Sequence, residues 1–177
     1  PHIQQQHSFR MHHKFGNGNN YWHLNACHKK IIMLLPHQHF LPYSEYQRLV
    51  DNLMHDSDYR GCLYCILSFS LALRISDVIQ LKWGDIVGIN NLIIQEKKTK
   101  KIKPIPIGSN TAQHIKELYI KMGEPDLSEC VFANQFNSMP ISRQYANRIL
   151  KIWKEKYNLQ IGNFSSHSFR KTFGRYV

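Results

Sequence analysis

The sequence predicts a mainly α-helical fold with one small antiparallel β-sheet or hairpin. From about residue 41 apolar residues recur at helical spacing, between residues 92 and 107 they form short β-prone runs, and helical spacing then returns. The chain has 177 residues, of which 42% are hydrophobic and 12% aromatic, so it is long and apolar enough for one packed domain. A composition this rich in apolar and aromatic residues argues against global disorder.

The first 40 residues predict a polar, poorly ordered arm ahead of a domain that covers residues 41–177. The arm contains eight of the eleven histidines of the chain and the loop-forming run Gly16-Asn17-Gly18-Asn19-Asn20. A metal site built from these histidines and Cys27 is the alternative interpretation, although their spacings match no ligand pattern. The histidines are His2, His7, His12, His13, His23, His28, His37 and His39.

Two helices are predicted at the start of the domain. Ser44 is a candidate N-cap, and Gln47 is its candidate partner in a capping box. The nearly continuous apolar stretch from Tyr59 to Leu73 is long for a strand and predicts a buried helix. Cys62 and Cys65 lie within that stretch and are expected to be buried thiols, which favours a reducing compartment.

A short third helix and the β element follow. Ser76 is expected to cap the third helix. The runs 92–94 and 102–107 predict a hairpin or a small three-stranded sheet. Pro104 and Pro106 confine the last strand to an edge, because proline has no N–H to donate to a neighbouring strand.

Two helices and the start of a third are predicted in the rest of the chain. The first covers Thr111 to Met122, the second covers Ser142 to Tyr157, and the last begins near Ser165 or Ser166. The second is amphipathic. Its inward side chains are expected to be Tyr145, Ile149, Ile152 and Trp153.

The charge of the chain favours a polyanionic partner. Lys and Arg number 23 against 12 Asp and Glu, which gives a formal net charge of +11. Nucleic acid is the first expectation and an anionic membrane surface the second. No apolar run approaches the roughly eighteen residues of a membrane span, and no basic-then-apolar leader is visible. We therefore expect no membrane span, no secretion and a cytoplasmic location.

Two arginines and a histidine are candidate phosphate contacts. Arg74 follows an apolar helix, where a guanidinium is costly to bury without an anion or a carboxylate; a salt bridge to Asp77 is the alternative. His167 and Arg170 are three residues apart and share one face of the first turn of the last helix. Arginine can grip phosphate with two parallel hydrogen bonds, and histidine can move a proton near neutral pH. An ordinary polar helix face is the alternative for this pair.

Two basic surfaces are further candidates. A cluster of lysines occupies the tip between the two β runs, where it either enters a DNA groove or protects an edge strand from aggregation. The outer face of the 142–157 helix either follows a DNA backbone or is simply solvated. The tip residues are Lys97, Lys98, Lys100, Lys101 and Lys103, and the helix residues are Arg143, Arg148, Lys151, Lys154 and Lys156.

Three motifs, taken in order, resemble those of the tyrosine recombinases, also called phage-type integrases. The run Leu71-Ala72-Leu73-Arg74-Ile75-Ser76-Asp77, followed by Leu81-Lys82-Trp83-Gly84-Asp85-Ile86, resembles their first conserved box. Lys98-Thr99, followed by Ile105-Pro106-Ile107, resembles their β-hairpin with its catalytic lysine. The run His167-Ser168-Phe169-Arg170-Lys171-Thr172-Phe173-Gly174 resembles their second box, His-x-x-Arg. The resemblance covers roughly residues 40–177 and implies the catalytic-domain fold of that family, truncated at the C-terminus; type IB topoisomerases share the chemistry.

The resemblance implies a role for each arginine. Arg74 and Arg170 would clamp the non-bridging oxygens of the scissile phosphate, and Asp77 would orient Arg74. Because the guanidinium groups would neutralise the phosphate charge, neither a metal nor a cofactor is implied.

The resemblance also assigns the proton carriers and the DNA contacts. Lys98 would protonate the leaving 5′ oxygen, with Lys97 as the alternative in register, and His167 would assist proton transfer at the nucleophile. Further DNA-binding residues are expected at Lys97, Lys100, Lys101, Arg143, Arg148 and Lys171.

The implied function is site-specific DNA recombination or integration, as in mobile elements, through a 3′-phosphotyrosyl intermediate. The implied partners are double-stranded DNA and further copies of the complete protein. In the family the nucleophilic tyrosine follows the second arginine by a few dozen residues, whereas this chain continues for seven residues beyond Arg170. Tyr176 is too close to be that nucleophile, and the chain does not start with Met.

We therefore expect a fragment that binds DNA without cutting it and whose N-terminal clamp domain is missing or reduced to residues 1–40. One alternative is a non-catalytic DNA-binding module or a decayed recombinase. Another is a metal-binding protein built on the histidine-rich arm.

Overall fold

The computed structural model describes residues 40–95, 102–136 and 138–176, and in these ranges it is mainly helical with one small antiparallel sheet. This architecture confirms the predicted fold class. The predicted arm, apart from Phe40, lies outside the described residues, and so does its proposed metal site. None of the helices in the described ranges is long and apolar enough to cross a membrane. The elements are α1 (Tyr43–His55), α2 (Tyr59–Ser70), α3 (Ile75–Val78), β1 (Asn91–Gln95), β2 (Ile102–Pro106), α4 (Ser109–Lys121), α5 (Arg143–Lys156) and α6 (Ser166–Tyr176).

Helix α2 is the centre of the domain. Its residues Gly61–Ser68 are all buried, and it packs against α1, α4 and α6. The Asp58 carboxylate accepts the N–H of Gly61 at 2.9 Å and caps the start of the helix. A Cβ atom at Gly61 would lie 2.7 Å from the ring of Trp153, so the contact between α2 and α5 requires glycine here. Both thiols of α2 are buried, as predicted, and burial raises the pKa of the Cys62 thiol to about 12.

Helix α1 begins at Tyr43, two residues earlier than a cap at Ser44 would place its start. The carbonyl of Pro42 accepts the N–H of Tyr46 at 2.9 Å, so the first helical hydrogen bond starts at the proline. The ring of Pro42 holds φ at −52°, close to the helical value. The predicted capping box of Ser44 with Gln47 is therefore wrong, because both residues lie inside the helix.

The end of α2 and the start of α3 also differ from the prediction. Helix α2 ends at Ser70, three residues earlier than expected, because Ala72 has a φ of +47°, in the left-handed region. Helix α3 is a single turn that begins at Ile75. Ser76, the predicted cap, lies within that turn, and its hydroxyl donates to the Asp77 carboxylate at 3.1 Å.

Strands β1 and β2 form an antiparallel hairpin with Leu92 opposite Ile105. The N–H of Ile107 donates at 2.8 Å to the carbonyl of the residue that precedes β1. Because hydrogen-bonded and non-bonded pairs alternate in antiparallel strands, the nitrogens of Pro104 and Pro106 face away from β1. The two prolines therefore occupy the outer edge of β2, as predicted.

Helix α5 is the amphipathic helix expected near this position, but the predicted inward face is partly wrong. The helix buries Ala146, Leu150 and Trp153, which are spaced by four and three residues. Tyr145 is 43% exposed and Ile152 is 51% exposed. Trp153 is buried as predicted and Ile149 is half-buried, so the buried face overlaps the predicted one only in part.

Helix α6 begins at Ser166, as predicted. The N–H of Ser165 donates to Oγ of Ser168 at 3.2 Å, which is one half of a capping box. Phe169 is fully buried, and its ring lies 6.0 Å from that of Tyr64 in α2. This aromatic contact holds α6 against the central helix.

A surface network joins the end of α1 to the end of α5. The Asp56 carboxylate lies 2.6 Å from the Lys156 ammonium and accepts the hydroxyl of Tyr157 at 2.9 Å. The hydrogen bond from Lys156, followed by those from His55 and Tyr157, lowers the pKa of Asp56 to about 2. A carboxyl group whose pKa is lowered by folding stabilises the protein above its unfolded pKa, and this stabilisation is lost as the pH falls through the folded value.

We expect Asp56→Asn to lower the stability at neutral pH and to flatten its decline between about pH 4 and pH 2, because the variant has no carboxyl to titrate there. Urea unfolding at a series of pH values measures both effects. Glu155→Gln, which removes an exposed carboxylate beside Lys156, is the matched control and should keep the parent's pH dependence. Parallel curves for Asp56→Asn and the parent would contradict this role of Asp56.

Candidate functional site

The loop between α2 and α3 presents the first candidate arginine. Ala72 interrupts the helix with its left-handed backbone, and Arg74 follows in an extended conformation as the N-cap of α3. The N–H groups of Asp77 and Val78 donate to the Arg74 carbonyl at 2.8 Å and 3.0 Å, which fixes the backbone at this residue. The Arg74 side chain is exposed.

Helix α6 presents the second candidate arginine on the same loop. Nη1 of Arg170 donates to the carbonyl oxygen of Ala72 at 2.5 Å, across 98 residues of sequence. Ala72 and Arg74 are two residues apart, so their Cα atoms lie within about 7 Å of each other. The structure therefore brings Arg170 to the loop that carries Arg74.

The charges of Arg74 and Arg170 favour the binding of an anion. In the described part of the chain, neither Arg74 nor Arg170 contacts a carboxylate, and the Arg170 contact is with a neutral carbonyl. The remaining guanidinium N–H groups are unpaired in these ranges and can donate to phosphate oxygens. Two positive charges without a carboxylate partner in the described ranges thus lie on one loop and one neighbouring helix, where they can attract an anion.

Asp77 and His167 lie on the same two elements as the arginines. The Asp77 carboxylate accepts a hydrogen bond from Ser76, and no described contact joins it to the Arg74 guanidinium. The salt bridge considered for Arg74 is therefore not seen. His167 is exposed in the first turn of α6, one turn before Arg170 on the same face.

The tip lysines fall largely outside the described residues. This applies to Lys97, Lys98, Lys100 and Lys101, which belong to the undescribed range 96–101. Lys103 is described and lies exposed on β2, opposite Ile94.

The other predicted DNA contacts are exposed but are not all part of this site. Lys171 lies on α6 beside Arg170. Arg143 and Arg148 lie on α5, and Arg148 stacks at 5.0 Å on the ring of Tyr145. Arg148 lines a cavity at the start of α2, whereas Arg74 follows the end of that helix, about 18 Å away along its axis. The structure therefore does not bring Arg148 to the two candidate arginines.

The cavity beside Arg148 has a volume of about 660 Å³ and was not predicted. It lies between the start of α2, residues 132–136 and 140–142, and α5. The Tyr64 hydroxyl is buried at its wall and has no hydrogen-bond partner in the described ranges. Burial raises the pKa of this hydroxyl, which stays protonated. The described residues contain no cluster of three or more metal-ligating side chains, at this cavity or elsewhere.

Two residues that shape the site were not singled out from the sequence. Ala72 supplies the carbonyl that receives Arg170, and Thr172 ties α6 to Leu41. The sequence gives no sign that Ala72 has a left-handed backbone, because the residue types that indicate this conformation are glycine and asparagine. Thr172 lies two residues after Arg170, but its partner is 131 residues away.

The sequence is similar to those of known proteins. The model of the phage integrase family matches residues 39–176. The probable integrase/recombinase YoeC of Bacillus subtilis is 36% identical over 109 residues, which cover 62% of this chain and 58% of YoeC. The tyrosine recombinase XerD of Corynebacterium glutamicum is 28% identical over 146 residues, which cover 77% of this chain and 47% of XerD. The chain spans about half the length of the curated relatives it matches.

Solved structures show the same fold. Lambda integrase bound to DNA superimposes with a TM-score of 0.58 at 21% identity, over 77% of this chain and 49% of that chain. A lambda integrase tetramer bound to a Holliday junction gives a TM-score of 0.58 at 21% identity, over 77% of this chain and 41% of that chain. The described helices and hairpin are thus arranged as in these recombinases.

We expect Ala72→Gly to raise the free energy of unfolding by up to about 1 kcal/mol, because glycine adopts the left-handed backbone without the steric cost of a Cβ atom. Urea unfolding at neutral pH measures the change. Ala112→Gly, in the regular helix α4, is the matched control and should lower stability by about 0.5–1 kcal/mol. A comparable loss at both positions would show that Ala72 is not left-handed in solution.

Proposed function

The chain belongs to the phage integrase family, and from this premise we propose that it is the phosphate-binding part of an enzyme for site-specific DNA recombination or integration. Its substrate is double-stranded DNA. The observation that carries the proposal is the hydrogen bond from Arg170 to Ala72, which brings the second arginine to the loop of Arg74. The net charge of +11 supports a polyanionic partner.

The proposed chemistry is phosphoryl transfer in the complete protein. A tyrosine oxygen attacks the phosphorus, the bond to the 5′ oxygen breaks, and a 3′-phosphotyrosyl link forms. Arg74 and Arg170 hold the non-bridging oxygens and stabilise the charge that develops on them, a contribution that pre-aimed donors make without reorganisation. Asp77, whose carboxylate contacts Ser76 in the free chain, is proposed to orient Arg74 when DNA is bound.

Two proton transfers complete this step. Lys98, or Lys97 in the alternative register, gives its proton to the leaving 5′ oxygen. His167 helps remove the proton of the attacking hydroxyl and lies on the face of α6 that also carries Arg170. In strand exchange the 5′ hydroxyl of another strand attacks the phosphotyrosyl link, so one phosphodiester is exchanged for another without an external energy source.

We further propose that this chain binds DNA without cleaving it. Tyr176 follows Arg170 by six residues on α6, which places it about 9 Å further along the axis and about 120° around it. Its ring packs 5.8 Å from that of Tyr43. A tyrosine held there does not share a face with Arg170, and this favours binding without cleavage.

The DNA surface is proposed to extend beyond the two arginines. Lys100, Lys101 and Lys171 are assigned to the DNA backbone, and Arg143 and Arg148 on α5 are assigned to phosphates more distant from the two arginines. Lambda integrase forms a tetramer on a Holliday junction, and we propose that the complete protein likewise assembles from several copies on DNA. The buried thiols of α2 suit a reducing cytoplasm.

We expect Arg74→Ala and Arg170→Ala each to weaken binding to a short DNA duplex about tenfold or more, because each removes a charge-assisted hydrogen bond. Each should also reduce the slope of log Kd against log salt by about 0.9, the value for one lost phosphate contact. Fluorescence anisotropy at several salt concentrations measures both quantities. Lys116→Ala, at an exposed position of α4, is the control and should change neither by a comparable amount. Unchanged binding by both arginine variants would refute the proposed site.

We expect the chain to form no covalent adduct with a suicide DNA substrate, since Tyr176 does not share a face of α6 with Arg170. Denaturing gel electrophoresis of the reaction with end-labelled DNA detects a phosphotyrosyl adduct. The parallel sample is a longer protein that extends past residue 177 to the next tyrosines of its reading frame, and it should form the adduct. An adduct with the 177-residue chain that Tyr176→Phe abolishes would assign the nucleophile to Tyr176.

A further inference from the structure

Thr172 lies two residues after Arg170 and makes a long-range contact that the proposed chemistry does not use. Its Oγ1 accepts the N–H of Leu41 at 3.0 Å. The same hydroxyl lies 2.7 Å from the Leu41 carbonyl and 2.8 Å from the Ser168 carbonyl, both of which can accept its proton. One side chain thus holds both backbone polar groups of Leu41.

The contact between Thr172 and Leu41 is inaccessible to water. Thr172 and Leu41 are both 0% exposed. A buried backbone N–H or carbonyl that loses its partner cannot recover a hydrogen bond from solvent, so its loss is costly. The position of α6 is therefore tied to the backbone position of Leu41.

Two ring contacts reinforce the same attachment. The guanidinium of Arg175 lies 4.4 Å from the ring of Phe40, and Tyr176 packs against Tyr43. The short segment 40–43 therefore holds the second half of α6, whereas Phe169 holds the first half against α2.

The contact continues from Thr172 to the first arginine. Within α6 the backbone hydrogen bonds fix Thr172 relative to Arg170. Arg170 donates to Ala72, and Ala72 adopts its left-handed backbone two residues before Arg74. Leu41, Thr172, Arg170, Ala72 and Arg74 thus form one continuous series of bonded or adjacent groups.

We infer that Thr172 is a positioning residue for Arg170 and that it couples the backbone position of Leu41 to the phosphate-binding arginines. The inference rests on the proposed function, since it concerns the same phosphate site. Donors aimed at a phosphate lose much of their effect when they shift by about 1 Å. Displacement of the chain at Leu41 is transmitted to α6 through the buried Thr172 hydroxyl, alongside the ring contacts of Arg175 and Tyr176.

The test is a double-mutant cycle on DNA binding by the 177-residue chain. Thr172→Val keeps the shape of the side chain but removes the hydroxyl, and Arg170→Ala removes the guanidinium that the hydroxyl positions. If Thr172 acts through Arg170, Thr172→Val should weaken binding about fivefold to tenfold in the parent and less than about twofold in the Arg170→Ala background. Thr172→Ser, which keeps the hydroxyl, should bind within about twofold of the parent.

A purely structural role for Thr172 gives a different pattern. Equal weakening by Thr172→Val in both backgrounds would overturn the inference. If Arg170→Ala weakens binding, unchanged binding by Thr172→Val in the parent would overturn it too. Leu118→Val, a conservative change in the core of α4, controls for a general loss of stability, which urea unfolding measures for every variant. If Thr172→Val does not fold, Thr172→Ala at lower temperature in the same cycle gives the comparison.

A measurement without DNA separates this inference from the proposed function. The side-chain N–H resonance of Arg170 in the free protein should move or broaden in Thr172→Val and return in Thr172→Ser, together with the protection of the Leu41 amide from hydrogen exchange. An unchanged Arg170 resonance would overturn the inference even if Arg170→Ala weakens DNA binding. A shifted resonance combined with unaltered DNA binding by Arg170→Ala would support the positioning role and refute the proposed function.

Discussion

The domain depends on the burial of α2. This helix is apolar on every side, and α1, α4 and α6 must cover it to remove its surface from water. The covering helices then fix the site: the end of α2 leads directly into the loop of Arg74, and α6 lies along α2 with Arg170 facing that loop. Hydrophobic packing thus holds the Arg170 side chain against the loop that carries Arg74.

Local patterns were sufficient to predict the elements of the fold. The apolar run from Tyr59 predicted a buried helix because it is long for a strand. Pro104 and Pro106 predicted an edge strand because proline has no N–H. The ends of the helices were predicted less accurately than the helices themselves. Ser44 has the right side chain for a cap, yet the carbonyl of Pro42 makes the first helical bond, and only the backbone geometry decides between them.

The sequence predicted those site residues whose side-chain type and spacing indicate their chemistry. Arg74, His167 and Arg170 were identified from motif and spacing, and the structure places their backbones on one loop and one helix that touch. The bond between Arg170 and Ala72 spans 98 residues and depends on an alanine with a positive φ. Neither property has a local signal, because both arise from how α6 is seated on α2.

The two prolines of β2 have a consequence for how the hairpin meets other chains. Their nitrogens face outward, so the far side of β2 has no N–H there for an incoming strand, whereas β1 keeps the outward backbone groups of Asn91 and Ile93. Ile93 is also 62% exposed, which makes this side attractive to apolar neighbours. Further strands can therefore be added to the sheet beside β1 but not beside β2. Two molecules that met through β1 would make a closed four-stranded unit, and the prolines at both rims would prevent an open-ended fibre.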